Sequence, residues 1–189
     1  EEMADFFSRR VDIYEDRHLG RWGEEYAHIA DCFDEKLERL LDIGCGTGLE
    51  LNAVYRRFPR AEVTGIDLCR DMLDKLQQTY GDKHFKAIVA DYFEYPFEAE
   101  RYDAALSFET LHHFPYEKKK QIYQKLYRAL KPGGYYIECD YMACCGEEER
   151  LCLEQYEYKR KKSGLPGHVF VHLDIPLTLE HQVELMKYG

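Results

Sequence analysis

The sequence lacks any apolar run of the roughly 18 residues that a membrane span requires, and its opening residues, EEMADFFSRR, lack the basic-then-apolar order of a secretory leader. Both absences lead to the expectation of a cytoplasmic protein that does not enter a membrane. A Cys-x-x-Cys pair is also missing. The seven cysteines (Cys32, Cys45, Cys69, Cys139, Cys144, Cys145 and Cys152) are odd in number, which argues against a disulfide framework and a structural zinc site. They read as reduced thiols, the adjacent Cys144 and Cys145 included, and no metal is expected. Positive charge is in deficit: 26 Lys and Arg face 36 Asp and Glu, a formal charge of −10. That balance repels polyphosphate, so a small molecule is a better-matched partner than nucleic acid. The basic runs at 118–120 and 159–162 read as solvated helix faces. Internal repeats and low-complexity tracts are absent.

What is present is a chain of 189 residues, 45% hydrophobic, sufficient for one core and hence one expected domain over 1–189. Apolar strand-like runs fall at 38–44, 61–67, 85–91, 102–108 and 134–141. Between them lie helical patterns at 48–58, with Leu51, Val54, Tyr55 and Phe58 on one stripe; at 70–80, with Met72, Leu73, Leu76 and Tyr80; and at 116–130. The last is stopped by LKPGG. Strand and helix in alternation predict a doubly wound, mostly parallel α/β sheet with helices on both faces. Residues 1–37 read as an N-terminal helical cap and 38–141 as the core. Residues 142–176 form an insertion, with a helix over 147–162 and a loop, and a last helix occupies 177–189, starting near Thr178.

The chemistry concentrates where the first strand ends. In LLDIGCGTGLE (40–50), Gly44, Gly46 and Gly48 alternate directly after the strand, allowing a tight turn, close backbone approach to a ligand and a helix start with free amides. A dinucleotide fingerprint would need a third glycine at the position of Leu49, and a P-loop would need Gly-Lys-Ser/Thr, so neither fits. Asp67, 19 residues past Gly48 at the end of the second strand, is placed to accept hydrogen bonds from ribose hydroxyls.

The D-x-G-x-G-x-G segment resembles the first motif of the class I S-adenosylmethionine-dependent methyltransferases. The resemblance continues in order through Asp67, ADY (90–92), YDAALSFETLHHF (102–114) and LYRALKPGGYYIECDY (126–141), covering 38–141. It implies a Rossmann-like fold with S-adenosylmethionine as cofactor and S-adenosylhomocysteine as product. The implied cofactor set is Asp42, Gly44, Cys45, Gly46, Gly48, Asp67, Leu68, Met72, Asp91, Tyr92, Ser107 and Phe108, with Tyr14 either folded over from the N-terminal helix or a core tyrosine. Asp91 would accept from the adenine amine, and backbone near Ser107 and Phe108 would face the methionine portion. Phe93 reads equally well as core. His112 and His113 follow strand four on the site face; either is a catalytic base candidate or a helix cap. Tyr14, His113, Tyr141, His168 and His172 are candidate acceptor contacts, and Tyr156, Tyr158 and Phe170 of the insertion are expected to join a lid.

The expected reaction is in-line methyl transfer to a small molecule, in which positioning supplies much of the acceleration and a base is optional. Two alternatives stand beside it. One is a tRNA wobble-uridine enzyme of the carboxy-S-adenosylmethionine synthase type, for whose carboxylate clamp no arginine here is matched. The other is a cofactor-binding domain without turnover. The family ordinarily ends with an antiparallel strand pair. Its apparent absence here leads to the expectation of a truncated C-terminus and an unpaired edge at the fifth strand.

Overall fold

The computed structural model describes residues 2–167 and 169–187. Its five strands are β1 (Arg39–Ile43), β2 (Glu62–Asp67), β3 (Phe85–Val89), β4 (Tyr102–Phe108) and β5 (Leu130–Cys139). They form one sheet in the order β3-β2-β1-β4-β5, with every pairing parallel. The crossovers carry α3 (Leu51–Arg57), α4 (Arg70–Tyr80) and α5 (Tyr116–Ala129). Two N-terminal helices, α1 (Met3–Ser8) and α2 (Val11–His28), precede the sheet; α6 (Gly146–Ser163) and α7 (Leu179–Met186) follow it.

The period-two alternation of strand side chains divides the core into two layers. Leu40, Val63, Ala104, Leu106 and Phe108 face the layer containing Tyr26, Ile29, Phe33, Val54 and Phe58. Leu41, Ile43, Ile66 and Ala105 face Phe93, Phe114, Ile122, Leu126 and Leu185. Burial on both faces is why β1 reads as a nearly continuous apolar run. The one acid in it, Asp42, shares the side of Leu40 and is fully buried.

Element boundaries differ from the expected ones in informative ways. The helix read from residue 48 starts at Leu51, because Gly48 N donates to Cys45 O and Leu51 N to Gly48 O in a separate turn. β5 starts at Leu130, paired with Tyr102, and the KPGG segment bulges out before Ala104 meets Tyr135. Gly133 carries the φ of +80° that this bulge needs. Thr178 caps α7 by accepting from His181 N. Among the described residues no antiparallel pair joins the sheet, and β5 pairs with β4 alone.

Two readings are corrected. Lys119 does not lie on a solvated face: its side chain is buried, with Nζ 3.5 Å from Gln182 Oε1 of α7, because α7 packs over that side of α5. The insertion helix α6 has no buried residue and leaves Tyr158 exposed, so it is a surface helix and neither Tyr156 nor Tyr158 lines either of the two cavities described below.

Candidate active site

The turn after β1 is held by backbone hydrogen bonds and then by one acid. Gly44 N and Cys45 N donate to Ile66 O, and Gly44, Gly46 and Gly48 take φ values of +66°, +49° and +75°. Asp67, at the end of β2, accepts from Gly46 N through Oδ2 (3.0 Å) and from Cys69 N through Oδ1 (2.8 Å). It thereby ties the glycine turn to the start of α4. Burial raises its pKa above the usual carboxylate range, against the pull of these amides. Each oxygen retains a lone pair for a ligand donor.

A cleft of about 560 Å³, counted to its open mouth, lies over this turn. Gly44, Gly46 and Asp67 form its polar floor, Leu68, Met72, Tyr92 and Phe114 supply apolar walls, and Met3, Ala4, Phe7 and Tyr14 close it from the N-terminal helices. A polar floor under apolar and aromatic walls suits a ligand with both polar and flat apolar parts. The Tyr14 phenol is pushed well up, chiefly by burial and then by the charges of Glu50, Asp67 and Glu109, so it stays protonated and serves as a donor. At Gly46 an added Cβ would point toward the Tyr14 hydroxyl, 3.6 Å away. The backbone there is open to a ligand.

A second cavity, about 880 Å³ to its mouth, shares Phe7, Tyr14, Glu109 and His113 with the first. Arg10, Arg17, Arg21 and His18 line its α2 side, and His112, His172 and Asp174 its far side. Glu109, which the sequence reading missed, stands between the two cavities with φ of +51°. A non-glycine residue held there is strained, a feature that concentrates at functional sites. Its position directly after β4 was the only available signal.

His112 and His113 occupy a short 3-10 turn, Leu111–His113. Asp140, just past β5, accepts from Leu111 N (2.8 Å) and His112 N (2.9 Å) through Oδ2, and from His112 Nδ1 through Oδ1. The other His112 nitrogen lies 3.6 Å from Asp174 Oδ1, and His113 Nδ1 lies 3.2 Å from the same oxygen. Asp140 and Asp174 hold the His112 pKa up against burial, whereas burial and the His112 charge lower that of His113. Ile175 N donates to His112 O (2.7 Å), pinning the loop that carries His172 and Asp174.

Of the residues singled out from sequence, Tyr14, Gly44, Gly46, Asp67, Leu68, Met72, Tyr92 and His113 line the cleft, and His112 and His172 line the second cavity. The others are placed elsewhere. Asp42 projects to the opposite layer and lies beneath the turn beside Glu50, where burial raises both carboxyls. Cys45 is buried against Gly65, and Gly48 is packed against Leu76 and Leu51. Asp91 caps its own turn by accepting from Phe93 N (2.8 Å). Ser107 bonds Tyr136 (2.6 Å), and Phe108 stacks on Tyr26 at 4.0 Å. Both β4 side chains therefore point into the packed layers. Tyr141 donates to Glu148 of α6 instead of meeting a cavity, and Phe170 packs in the aromatic core beside Phe93 and Phe114. His168 lies outside the described residues.

Comparison with known proteins gives this architecture a family. A model described as "Methyltransferase domain" matches residues 40–134, half of the chain. The chain is 29% identical to malonyl-[acyl-carrier protein] O-methyltransferase of Priestia megaterium, covering 95% of itself and 69% of that enzyme. It is 28% identical to fatty-acid O-methyltransferase of Mycolicibacterium smegmatis, covering 69% of itself and 47% of that enzyme. Among solved structures, the putative methyltransferase of Haloferax volcanii in complex with the Trm112 activator superposes with a TM-score of 0.68 at 18% identity, over 97% of this chain and 72% of that one. Haemonchus contortus phosphoethanolamine N-methyltransferase 2, in complex with phosphomonomethylethanolamine and S-adenosylhomocysteine, superposes with a TM-score of 0.65 at 25% identity, over 89% of this chain and 37% of that one. The chain thus spans only part of its relatives. The glycine turn, the acid at the end of β2, the sheet order and the matched model together make this protein a member of the class I S-adenosylmethionine-dependent methyltransferase family.

Proposed function

We propose that this chain binds S-adenosylmethionine in the cleft over the glycine turn and directs its methyl group to a small-molecule acceptor held in the second cavity. The supporting observation is the shared wall: Phe7, Tyr14, Glu109 and His113 border both spaces, so a group at the end of the cleft meets a group in the cavity. Bound there, S-adenosylmethionine supplies an electrophilic methyl carbon on a neutral leaving group. The chain's own part is positioning. Asp67 and the Gly46 backbone hold the ribose end, Leu68, Met72 and Tyr92 enclose the adenine end, and Phe7 with the N-terminal helices excludes water. His113, buried on the shared wall with a lowered pKa, is available as a neutral proton acceptor there. His112 is less suited, since Asp140 and Asp174 hold its pKa up against burial and favour the charged ring.

Arg10, Arg17 and Arg21 on one side of the second cavity favour an acceptor that carries an anionic group, despite the acidic total charge of the chain. The two O-methyltransferase relatives have names that refer to acyl substrates. Methyl transfer is favoured over carboxy-S-adenosylmethionine synthesis because the named relatives are methyltransferases. Among the described residues no helix is long and apolar enough to cross a membrane, in keeping with work in the cytoplasm. Calorimetry with S-adenosylhomocysteine should show binding, and labelled methyl should pass to small carboxylated or phosphorylated acceptors. Binding without transfer to any of them would favour the non-catalytic reading.

Asp67→Ala is expected to weaken S-adenosylhomocysteine by about 1–3 kcal/mol, the cost of losing a charged acceptor. It should also lower the melting temperature, because Gly46 N and Cys69 N lose their partner. A lowered melting temperature with unchanged affinity would show that the acid serves only the turn.

A further inference from the structure

We propose that His112, His113 and Asp174 form a binding site for one divalent transition-metal ion, of which Zn²⁺ is the best match, with its open coordination position facing the second cavity. One nitrogen from each imidazole and one carboxylate oxygen converge within 4.8 Å of one another. The two distances to Asp174 Oδ1, 3.2 and 3.6 Å, lie near the edge of about 3.3 Å that a tetrahedral ion with bonds of about 2.0–2.1 Å requires, and the two imidazole nitrogens, within 4.8 Å of each other, would draw together on binding. An octahedral ion of similar bond length has a shorter edge. Two histidines and one carboxylate, leaving a position free, is a donor set of catalytic rather than structural zinc.

The geometry around His112 is the independent observation. Asp140, almost wholly buried at its side chain, accepts from Nδ1 and from two backbone amides of the same turn. That arrangement fixes the ring with Nε2 turned toward Asp174, as a carboxylate does behind a metal-bound histidine. A histidine that merely capped a helix would need no such orientation. His113 borders both cavities, so an ion on it would sit beside the transfer point.

The role of the ion rests on the proposed methyl transfer, whereas its binding does not; an ion on His113 would take the place of that residue's part as proton acceptor. An acceptor hydroxyl or carboxyl filling the open position would release its proton to solvent on coordination. A remaining oxygen lone pair would then attack the methyl carbon as the carbon–sulfur bond breaks, with that bond's electron pair staying on sulfur.

The test is titration of chelator-treated protein with Zn²⁺ by calorimetry and with Co²⁺ by visible absorption. The Cys32→Ser/Cys144→Ser/Cys145→Ser background removes the exposed thiols as competing ligands. One Zn²⁺ per chain and the intense visible bands of four-coordinate Co²⁺ are expected. Asp174→Ala and His113→Ala should abolish the Co²⁺ bands, and Asp140→Asn should weaken Zn²⁺ by about 10–100-fold. Far-ultraviolet circular dichroism reports whether each variant is folded, and S-adenosylhomocysteine affinity of the Asp140 and Asp174 variants, which do not line the cofactor cleft, reports whether that site stands by itself. Asp174→Asn, which keeps the size of a half-exposed side chain, serves if the alanine variant does not fold. Absence of Zn²⁺ binding in protein that binds S-adenosylhomocysteine, or Co²⁺ bands unchanged in the Asp174 variant, would overturn the proposal and leave an ion-paired cluster.

Discussion

Gly44→Ala should lower stability by about 2–5 kcal/mol, the sum of left-handed backbone strain and overpacking. The added Cβ would stand 2.3 Å from Thr110 Cγ2 and 2.7 Å from its Oγ1, and φ at this position is +66°. Thr110 cannot easily give way, since its hydroxyl is engaged with Phe108 O (2.9 Å) and Gly44 O (3.3 Å). A chain of this size loses about 2–4 °C per kcal/mol, so a fall of roughly 5–20 °C in melting temperature is expected. Gly46→Val provides the contrast. Its Cβ meets only the Tyr14 ring, with the hydroxyl nearest at 3.6 Å, so it adds strain from the φ of +49° but no overpacking, while its methyls block the cleft and abolish S-adenosylhomocysteine binding. Thr110→Ala should recover part of the Gly44→Ala loss, leaving the strain from φ. A Gly44→Ala protein with the parental melting temperature would show that the turn does not pack against Thr110.

The second large effect concerns Glu138 on β5, and its sign follows from linkage. The Glu138 carboxyl is buried beside Asp140, with Lys119 nearby, and its Oε2 accepts from Tyr123 OH (2.8 Å), Tyr136 OH (3.1 Å) and Gln182 Nε2 (3.3 Å). Its Oε1 has no partner among the described residues. Burial, then the Asp140 charge, pushes the pKa up to about 7 from 4.5. The folded state therefore holds a proton that the unfolded state gives up, and the stability associated with it is present below about pH 4.5 and lost as pH rises toward 7. The loss amounts to about 3–4 kcal/mol at 1.36 kcal/mol per pKa unit. Glu138→Gln keeps an acceptor for the three donors and carries no charge to desolvate. It should be the more stable protein above pH 7 and show a flatter profile between pH 5 and 8. Parallel pH profiles for the two proteins, by thermal or urea denaturation, would show that the carboxylate is compensated in the fold.

The order of strands and helices was legible because each has a local pattern: apolar runs between turn residues, and stripes at helical spacing in α4 and α5. The glycine turn and Asp67 were legible as well, since backbone freedom and an acid at a strand end are local requirements. Phase along a strand was harder to use. Asp42, Ser107 and Phe108 stand at the right end of the right strands, yet alternation turns Asp42 and Phe108 into one layer and Ser107 into the other. Asp91 has the right place, and one of its oxygens caps its own turn.

Sequence alone determined the doubly wound sheet, the cofactor class and the cradle, all of which depend on residues close together in the chain or on their order. Only the tertiary structure decided what surrounds the second cavity. His112 and His113 from the β4 side, Asp140 from beyond β5, Asp174 from the late loop and Glu109 at its strained φ come from separate segments. The same holds for Lys119, a surface lysine by pattern that α7 covers. Proximity between such segments is set by packing on the two faces of the sheet, and the local spacing of residue types carries no record of it.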